Sequence, residues 1–404
     1  MPAATNSGGG GGEQWAWLGL LKWTLAHTDG TRPSSESPTM MSDEDKAFLE
    51  KVMAEGIIDE SERMKFVLQE FSKAMEYYKS QSQSDGQEAP TTSTTTEEKE
   101  QEPPLQPPAP PNEDDLEELL QELRDIVEQV DYARGFVNLK GCRYLLGAIA
   151  APEVPTTIRD ACLGILSTLA QNNPPVQKEL VELGSIKVLS DLFLSETQTD
   201  ADADTATESG TRAVPLSTKT RTMQALSAIV RCYDLTEGVF EGLPQAPAMM
   251  VQGLSTDPNV SSTSLRTKTL FFLRAFLTSD LSTPARAQAF RYAIAAVADT
   301  DSLYLKASDE SGNDWASIQL RESAVSLLGQ LLERRLAVGL LLQRKQHLAS
   351  RGVQRIRELR ACTGEDAEAT RTELQQWEAF LLLLARTEPE APEEGASEAP
   401  KLLL

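Results

Sequence analysis

Histidine is nearly absent from this sequence of 404 residues, which contains only His27 and His347. Histidine supplies many zinc ligands and the general base of serine triads, so both kinds of site have almost no material here. The sequence also lacks the phosphate-binding loop Gly-x-x-x-x-Gly-Lys-Ser/Thr and a glycine fingerprint placed after a strand. Carboxylates are plentiful, so a catalytic acid pair remains open. The pattern favours a protein that is not an enzyme and needs no metal or cofactor.

Cysteine and long apolar runs are scarce as well. The four cysteines, Cys142, Cys162, Cys232 and Cys362, form no Cys-x-x-Cys pair, and three of them fall in apolar helical runs. This distribution favours reduced core thiols. The longest apolar runs are too short to span a membrane, and residues 1–12 lack the basic residues of secretory or transit peptides. We therefore expect a cytoplasmic or nucleocytoplasmic protein.

Acidic residues outnumber basic ones, which gives a net charge of −23. This balance argues against nucleic acid and anionic membranes as partners. The charge is concentrated in residues 79–112, 195–218 and 387–404, which hold 16 Asp and Glu against 4 Lys and Arg. All three segments are polar or rich in Pro, Ser and Thr, so the excess charge indicates solvated, disordered chain and not a ligand site.

The composition predicts five consecutive regions. Residues 1–12 form a flexible glycine-rich leader, 13–78 a helical module, 79–112 a disordered proline-rich linker, 113–386 a helical repeat domain and 387–404 a disordered acidic tail. Apolar spacing in the module predicts three helices: one with Trp15, Leu18, Leu21 and Leu25, one that begins after Ser42, and one from about Glu60 with Met64, Val67, Leu68 and Phe71 on one side.

Four segments of the repeat domain share one template, in which an apolar residue or threonine precedes a basic residue and a helical apolar pattern. They start at Ile158, Thr218, Leu265 and Leu320, at separations of 60, 47 and 55 residues. Helical repeats of about 40–47 residues are typical of armadillo and HEAT proteins. The surplus residues are predicted to form inserts at 195–218 and 299–317. The sequence therefore predicts an all-α, armadillo/HEAT-like solenoid.

Shorter helical segments, interrupted by glycine, lie between the long ones. The stretches around Gly141 and Gly184 match each other, and glycine permits a sharp turn between two helices. Two short helices and one long helix make up the armadillo unit, whose long helices line the concave face. Because each unit buries its apolar side only against its neighbours, we expect one cooperative stack.

One face of each long helix is the candidate partner surface. Its residues are predominantly small and polar, with Phe271 as the exception; an alternative interpretation buries Phe271 in the core beside Phe272 and Phe276. The Trp and Asn with which nuclear-import adaptors hold extended peptides are absent from these rows, which argues against a peptide groove. The candidate partner-binding residues are Gln171, Asn172, Gln224, Arg231, Phe271, Arg274, Thr278, Gln330 and Glu333.

Several stretches resemble a known family. They are Gly19-Leu-Leu-Lys-Trp-Thr-Leu-Ala-His-Thr-Asp-Gly-Thr-Arg-Pro33, Met41-Ser-Asp-Glu-Asp45, Arg63-Met-Lys65, Leu116-Glu-Glu-Leu-Leu-Gln-Glu-Leu123, Ile158 to Thr168, Gln171-Asn-Asn-Pro174 and Gln177-Lys-Glu-Leu180. In this order they resemble the cytosolic Fes-type, heat-shock-protein-binding-protein family of armadillo-repeat nucleotide exchange factors. The resemblance covers about 15–78 and 113–332. The 79–112 linker and the inserts at 195–218 and 299–317 depart from it.

The resemblance implies a co-chaperone. Such factors hold one lobe of the nucleotide-binding domain of a 70-kDa heat-shock chaperone with their concave face. This favours an opened lobe arrangement, promotes ADP release and lets the chaperone free its client protein. The factor needs no nucleotide site of its own, and we expect it to act as a monomer. The alternative function is a general armadillo scaffold that binds another folded protein.

Overall fold

The computed structural model describes residues 60–84, 110–197, 213–299 and 315–388. The chain divides into two compact units, residues 1–66 and 67–404. Within the described ranges the regular structure is helical, with one isolated β-bridge between Thr197 and Val214.

Helix α1 spans Glu60–Ser84, so the third helix predicted for the N-terminal module begins at the expected residue. Its predicted apolar side, which includes Met64, Val67 and Phe71, is buried. The helix continues beyond residue 78, where the sequence analysis placed the start of the linker. The two other helices predicted for this module, which contain Trp15 and follow Ser42, lie outside the described residues.

The rest of the described chain repeats one order of helices, two short and one long. Helix α2 spans Glu113–Val127 and precedes the first triplet. The first triplet comprises α3 (Val130–Asn138), α4 (Gly141–Ala150) and α5 (Thr156–Ala170), and the second comprises α6 (Pro174–Glu182), α7 (Ser185–Leu194) and α8 (Leu216–Val230). The third comprises α9 (Asp234–Glu241), α10 (Ala246–Gly253) and α11 (Thr263–Leu277). The fourth comprises α12 (Pro284–Ala289), α13 (Arg291–Asp299) and α14 (Trp315–Glu333). The described chain ends with α15 (Val338–Gln343), α16 (Lys345–Ala361), α17 (Glu365–Ala369) and α18 (Arg371–Arg386).

The long helices pack side by side in chain order. Helix α2 packs on α5, α5 on α8, α8 on α11, α11 on α14, and α14 on α18. Helices α5, α8 and α11 each contain 15 residues and begin two residues before the predicted template, at Thr156, Leu216 and Thr263. Each long helix therefore buries its apolar side against its neighbours, as the repeat pattern predicts.

In the first three triplets, the recurring basic residue of the template anchors the loop that leads into the long helix. Nη2 of the buried Arg159 donates a hydrogen bond to the carbonyl oxygen of Ala151 at 2.8 Å. In the third triplet, Nη1 of Arg266 donates to the carbonyl oxygen of Ser255 at 3.5 Å. Carbonyls in a buried loop need a donor, and a long basic side chain supplies one from an apolar stem. The basic position is therefore structural in these repeats.

Lys219 performs this role in the second triplet and is fully buried. Its Nζ donates to the carbonyl oxygen of Ser195 at 2.6 Å and to Oγ1 of Thr197 at 2.9 Å. Thr197 forms the isolated bridge with Val214, whose side chain is also buried. Both ends of the insert predicted at 195–218 are thus part of the fold, because a buried ammonium requires oxygen partners.

Lys219 is expected to make the stability of the protein depend on pH in the alkaline range. Burial lowers the pKa of its ammonium from 10.5 to about 8. Between these pH values the unfolded chain binds more protons than the folded chain, so the free energy of unfolding rises with pH. Relative to the Lys219→Met variant, we expect the free energy of unfolding of the native protein to increase by about 1–2 kcal/mol between these pH values, after allowance for solvent screening.

The measurement is urea unfolding of both proteins at pH values of about 8 and about 10. Groups that titrate in both proteins cancel in the difference between them. If the difference in the free energy of unfolding between the two proteins stays constant with pH, folding does not desolvate this ammonium.

The turns between the short helices use left-handed backbone at equivalent positions. Gly184 has φ 77°, as expected for a glycine turn, whereas Lys140 has φ 61° at the corresponding turn of the first triplet. The turn predicted at Gly141 therefore lies one residue earlier. Gly141 itself is required by close packing, since an added Cβ would lie 2.3 Å from the Phe136 ring.

A buried ion network joins the last long helices. Glu373 on α18 is fully buried and accepts from Arg321 of α14 and Arg355 of α16. The Nε–carboxylate distances are 3.1 Å for Arg321 and 2.7 Å for Arg355. A single carboxylate therefore holds two buried guanidinium groups between three helices.

The cysteines fall into two groups. Cys142 and Cys162 are buried, as predicted for core thiols, and burial raises the pKa of the Cys142 thiol to about 12. Cys362 is half-buried, whereas Cys232 is exposed with a left-handed backbone, φ 63°. The interpretation as core thiols therefore holds for the first two and not for Cys232.

Candidate binding surface of the long helices

The candidate residues occupy the C-terminal halves and ends of the long helices. All nine are exposed or half-exposed: Gln171, Asn172, Gln224, Arg231, Phe271, Arg274, Thr278, Gln330 and Glu333. We call this set, together with the side chains that touch it, the long-helix surface. Arg231 follows the last residue of α8, and Thr278 follows the last residue of α11. Successive repeats thus present these side chains at equivalent places.

Phe271 lies at the centre of this surface between two arginines. Its side chain is 38% exposed, whereas Phe272 and Phe276 on the same helix are fully buried, so its alternative placement in the core is wrong. The guanidinium carbon of Arg231 lies 4.6 Å from the centre of the Phe271 ring, and that of Arg274 lies 5.9 Å away. These distances permit cation–π attraction. We call Arg231, Phe271 and Arg274 the central cluster.

The two arginines of the central cluster form no salt bridge with a carboxylate of the described residues. Nε of Arg231 donates to the carbonyl oxygen of Ser227 at 3.1 Å, which leaves its terminal nitrogens without a hydrogen-bond acceptor in the described chain. Nη1 of Arg274 contacts the Ser326 hydroxyl at 3.4 Å. Burial lowers the pKa of Arg231, although a guanidinium remains charged in proteins. The cluster therefore presents partly desolvated positive charge beside an exposed aromatic ring.

The next helix continues the central cluster through hydrogen bonds. Nε2 of Gln330 donates to the Ser326 hydroxyl at 3.3 Å, so Arg274 and Gln330 share one partner on α14. Arg334 donates to the carbonyl oxygen of Thr278. Arg274 and Gln330, two of the predicted residues, are therefore brought together, and Arg334 adds a positive charge that the sequence did not indicate.

The N-terminal part of the same row is acidic. A groove of about 710 Å³ lies between α2, α5 and α8, and its lining includes Asp114, Glu117 and Glu118. Burial raises the pKa of the Asp160 carboxyl in this groove. The positive charge of Arg221, whose Nε lies 3.3 Å from the carboxylate, lowers the pKa, but burial has the larger effect. The surface therefore changes from negative on α2 to positive at the central cluster.

Arg124 of α2 was missed by the sequence analysis. Its Nε donates to Oγ1 of Thr168 at 3.2 Å, and its side chain lines a second groove of about 540 Å³ beside Gln171 and Asn172. Helix α2 lies before the first copy of the template. Its apolar spacing was therefore the only signal in the sequence that it packs in the row of long helices. Gln224 and Glu333 are exposed, and within the described chain neither forms a hydrogen bond or salt bridge with the central cluster.

Within the described ranges, no three His, Cys, Asp or Glu side chains are grouped as metal ligands. In the same part of the chain, no helix combines the length and the apolar character that crossing a membrane requires.

No family model and no curated protein matches this chain. Among solved structures, it is similar to a designed armadillo repeat protein at 13% identity and a TM-score of 0.42, over 68% of this chain and 95% of that chain. It is also similar to a designed armadillo repeat protein in complex with the peptide (KR)4, at 14% identity and a TM-score of 0.44, over 67% and 95% of the two chains. The described part of the chain is all-α, and its triplets of two short helices and one long helix give it an armadillo-like architecture.

Proposed function

We propose that this chain is a non-catalytic binding protein that holds a folded protein partner against its long-helix surface. The observation that carries the proposal is the central cluster, where an exposed phenylalanine lies between two arginines without carboxylate partners among the described residues. Arginine and aromatic side chains are enriched among the residues that dominate binding energy. In a chain of net charge −23, such a positive, partly desolvated patch is suited to a partner that supplies carboxylates.

The partner that we propose is the nucleotide-binding domain of a 70-kDa heat-shock chaperone. The support comes from the sequence, where the stretch Gly19 to Pro33 and the segment Ile158 to Thr168 resemble armadillo-repeat exchange factors. The second of these segments forms most of α5, beside the acidic groove. Because this chain is proposed to bind the opened arrangement of the domain more tightly, it shifts the domain's population towards that state and lowers the affinity for ADP. ATP then enters, and the chaperone releases its client.

A capture experiment separates this function from that of a general scaffold. The immobilised full-length chain is incubated with purified chaperone in ADP and then washed with ATP. Because the factor is proposed to favour the nucleotide-free, opened domain, ATP is expected to release the chaperone. Retention that is equal in ADP and ATP would favour a scaffold, and absence of capture in either nucleotide would exclude the chaperone as the partner.

A further inference from the structure

Gln177 connects the first short helix of the second triplet to the C-terminal end of the long helix of that triplet, α8, which Arg231 directly follows. It lies on α6 and is fully buried. Its amide nitrogen lies 3.0 Å from the carbonyl oxygen of Ala228, and 2.9 Å from those of Ile229 and Arg231. One side chain therefore contacts three carbonyls at the C-terminus of α8.

The chemistry of this contact requires an amide nitrogen. The last carbonyls of a helix have no partners within it, and only a donor can satisfy them. Three carbonyl acceptors around one atom identify it as the NH2 group of Gln177, because the amide oxygen would be repelled there. Oε1 of Gln177 is itself buried and accepts no hydrogen bond within the described chain. Burying Oε1 without a hydrogen-bond partner costs free energy. This cost indicates that the contacts of the amide nitrogen with the three carbonyls have a specific role.

A second side chain completes the contact at the end of α8. The hydroxyl of Thr236 donates to the carbonyl oxygen of Val230 at 2.9 Å. The carbonyls of residues 228–231 thus each accept from a side chain outside α8, either Gln177 of the same triplet or Thr236 of the next triplet. Since Nε of Arg231 is bound to its own helix at 3.1 Å, both the backbone and the inner part of this side chain are fixed.

A related arrangement occurs one repeat later. Glu237 is the fourth residue of α9, as Gln177 is the fourth residue of α6. Its carboxylate accepts from Nη1 of Arg286 at 2.7 Å, and the same nitrogen donates to the carbonyl oxygen of Phe276 at 3.0 Å. Glu237 thus acts on the end of α11 through Arg286, whereas Gln177 contacts the end of α8 directly, including the carbonyl of Arg231.

We infer that Gln177 is a positioning residue: it fixes Arg231 against Phe271 for partner binding without touching the partner. A side chain that is already held in its bound conformation loses less conformational entropy on association. The identity of the partner rests on the proposed function, whereas the positioning of Arg231 does not.

A double-mutant cycle tests this inference with the chaperone's nucleotide-binding domain as the probe. Gln177→Met is expected to weaken binding about tenfold when Arg231 is present, and to have little further effect in an Arg231→Met background. Thr222→Val removes another buried hydrogen bond in α8, from its hydroxyl to the carbonyl oxygen of Thr218, and serves as the matched control. The control is expected to leave affinity within about twofold of the native protein.

A loss of affinity that is equal in both backgrounds would mean that Gln177 acts through general stability and would overturn the inference. If Gln177→Met does not fold, Thr236→Val loosens the same helix end and is expected to give the same dependence on Arg231. Its failure to do so would also count against positioning.

A measurement without any partner separates this inference from the proposed function. In the native protein, the Phe271 ring is expected to shift the NMR signal of the Arg231 Nε–H group, and Gln177→Met is expected to reduce that shift. An unchanged signal would overturn the inference even if the chaperone binds. A reduced signal in a protein that never binds the chaperone would support positioning and count against the proposed partner.

Discussion

Replacing Arg231 by Glu together with Phe271 by Ala is expected to weaken chaperone binding by on the order of 100-fold or more while the helices remain folded. The substitution reverses one positive charge and removes the ring that lies 4.6 Å from it. Phe271 is partly exposed and its neighbours Phe272 and Phe276 fill the core, so its loss leaves little cavity. Affinity is measured by titration of the nucleotide-binding domain, and folding by circular dichroism.

The chain offers a matched control in Arg291 and Tyr292. The guanidinium carbon of Arg291 lies 4.3 Å from the centre of the Tyr292 ring, and Tyr292 is 61% exposed. This pair lies on the short helix α13, and neither residue belongs to the long-helix surface. Arg291→Glu with Tyr292→Ala should leave affinity nearly unchanged. Full binding by the folded Arg231 and Phe271 double variant would exclude the long-helix surface as the binding site.

Among the substitutions proposed here, Glu373→Ala is expected to lower the free energy of unfolding the most, by about 3–5 kcal/mol. The substitution leaves Arg321 and Arg355 buried without the carboxylate that they share at 3.1 Å and 2.7 Å. For a protein of this size, such a loss corresponds to a fall in melting temperature on the order of 10 °C. Urea and thermal unfolding measure the change.

Glu378→Ala is the control for this prediction. Glu378 pairs with Arg360 at 2.7 Å, but both side chains are largely exposed, at 40% and 65%. An exposed pair of this kind contributes about 0–1 kcal/mol. Equal destabilisation by the two substitutions would contradict the role assigned to burial. Replacing Glu373, Arg321 and Arg355 together by apolar residues should recover much of the loss, because none of these three buried charges then remains.

The sequence predicted the long helices well because their signal is local. The template that starts at Ile158, Thr218 and Leu265 marks helices that begin two residues earlier, and apolar spacing along a helix determines which face is buried. The same spacing placed Arg231 and Phe271 on one surface. Their contact was not predictable, because 40 residues separate them and α9 and α10 determine how the two long helices align.

The remaining differences come from interactions between distant parts of the chain or from single backbone conformations. Gln177 reaches carbonyls 51 to 54 residues away, which no short motif encodes. Lys140 adopts a left-handed conformation that favours glycine, so the nearby Gly141 suggested the wrong residue for the turn. The insert ends at 195–218 appeared polar throughout, and only the buried ammonium of Lys219 shows why they join the fold.

Release of a fluorescent ADP analogue from the purified chaperone tests the central claim most directly. The native full-length chain is expected to accelerate release in a concentration-dependent manner, because it favours the opened nucleotide-binding domain. The Arg231→Glu, Phe271→Ala variant should lose this acceleration, and the Arg291→Glu, Tyr292→Ala control should retain it. An ADP off-rate that the native chain leaves unchanged at saturating concentration would contradict the proposed exchange activity.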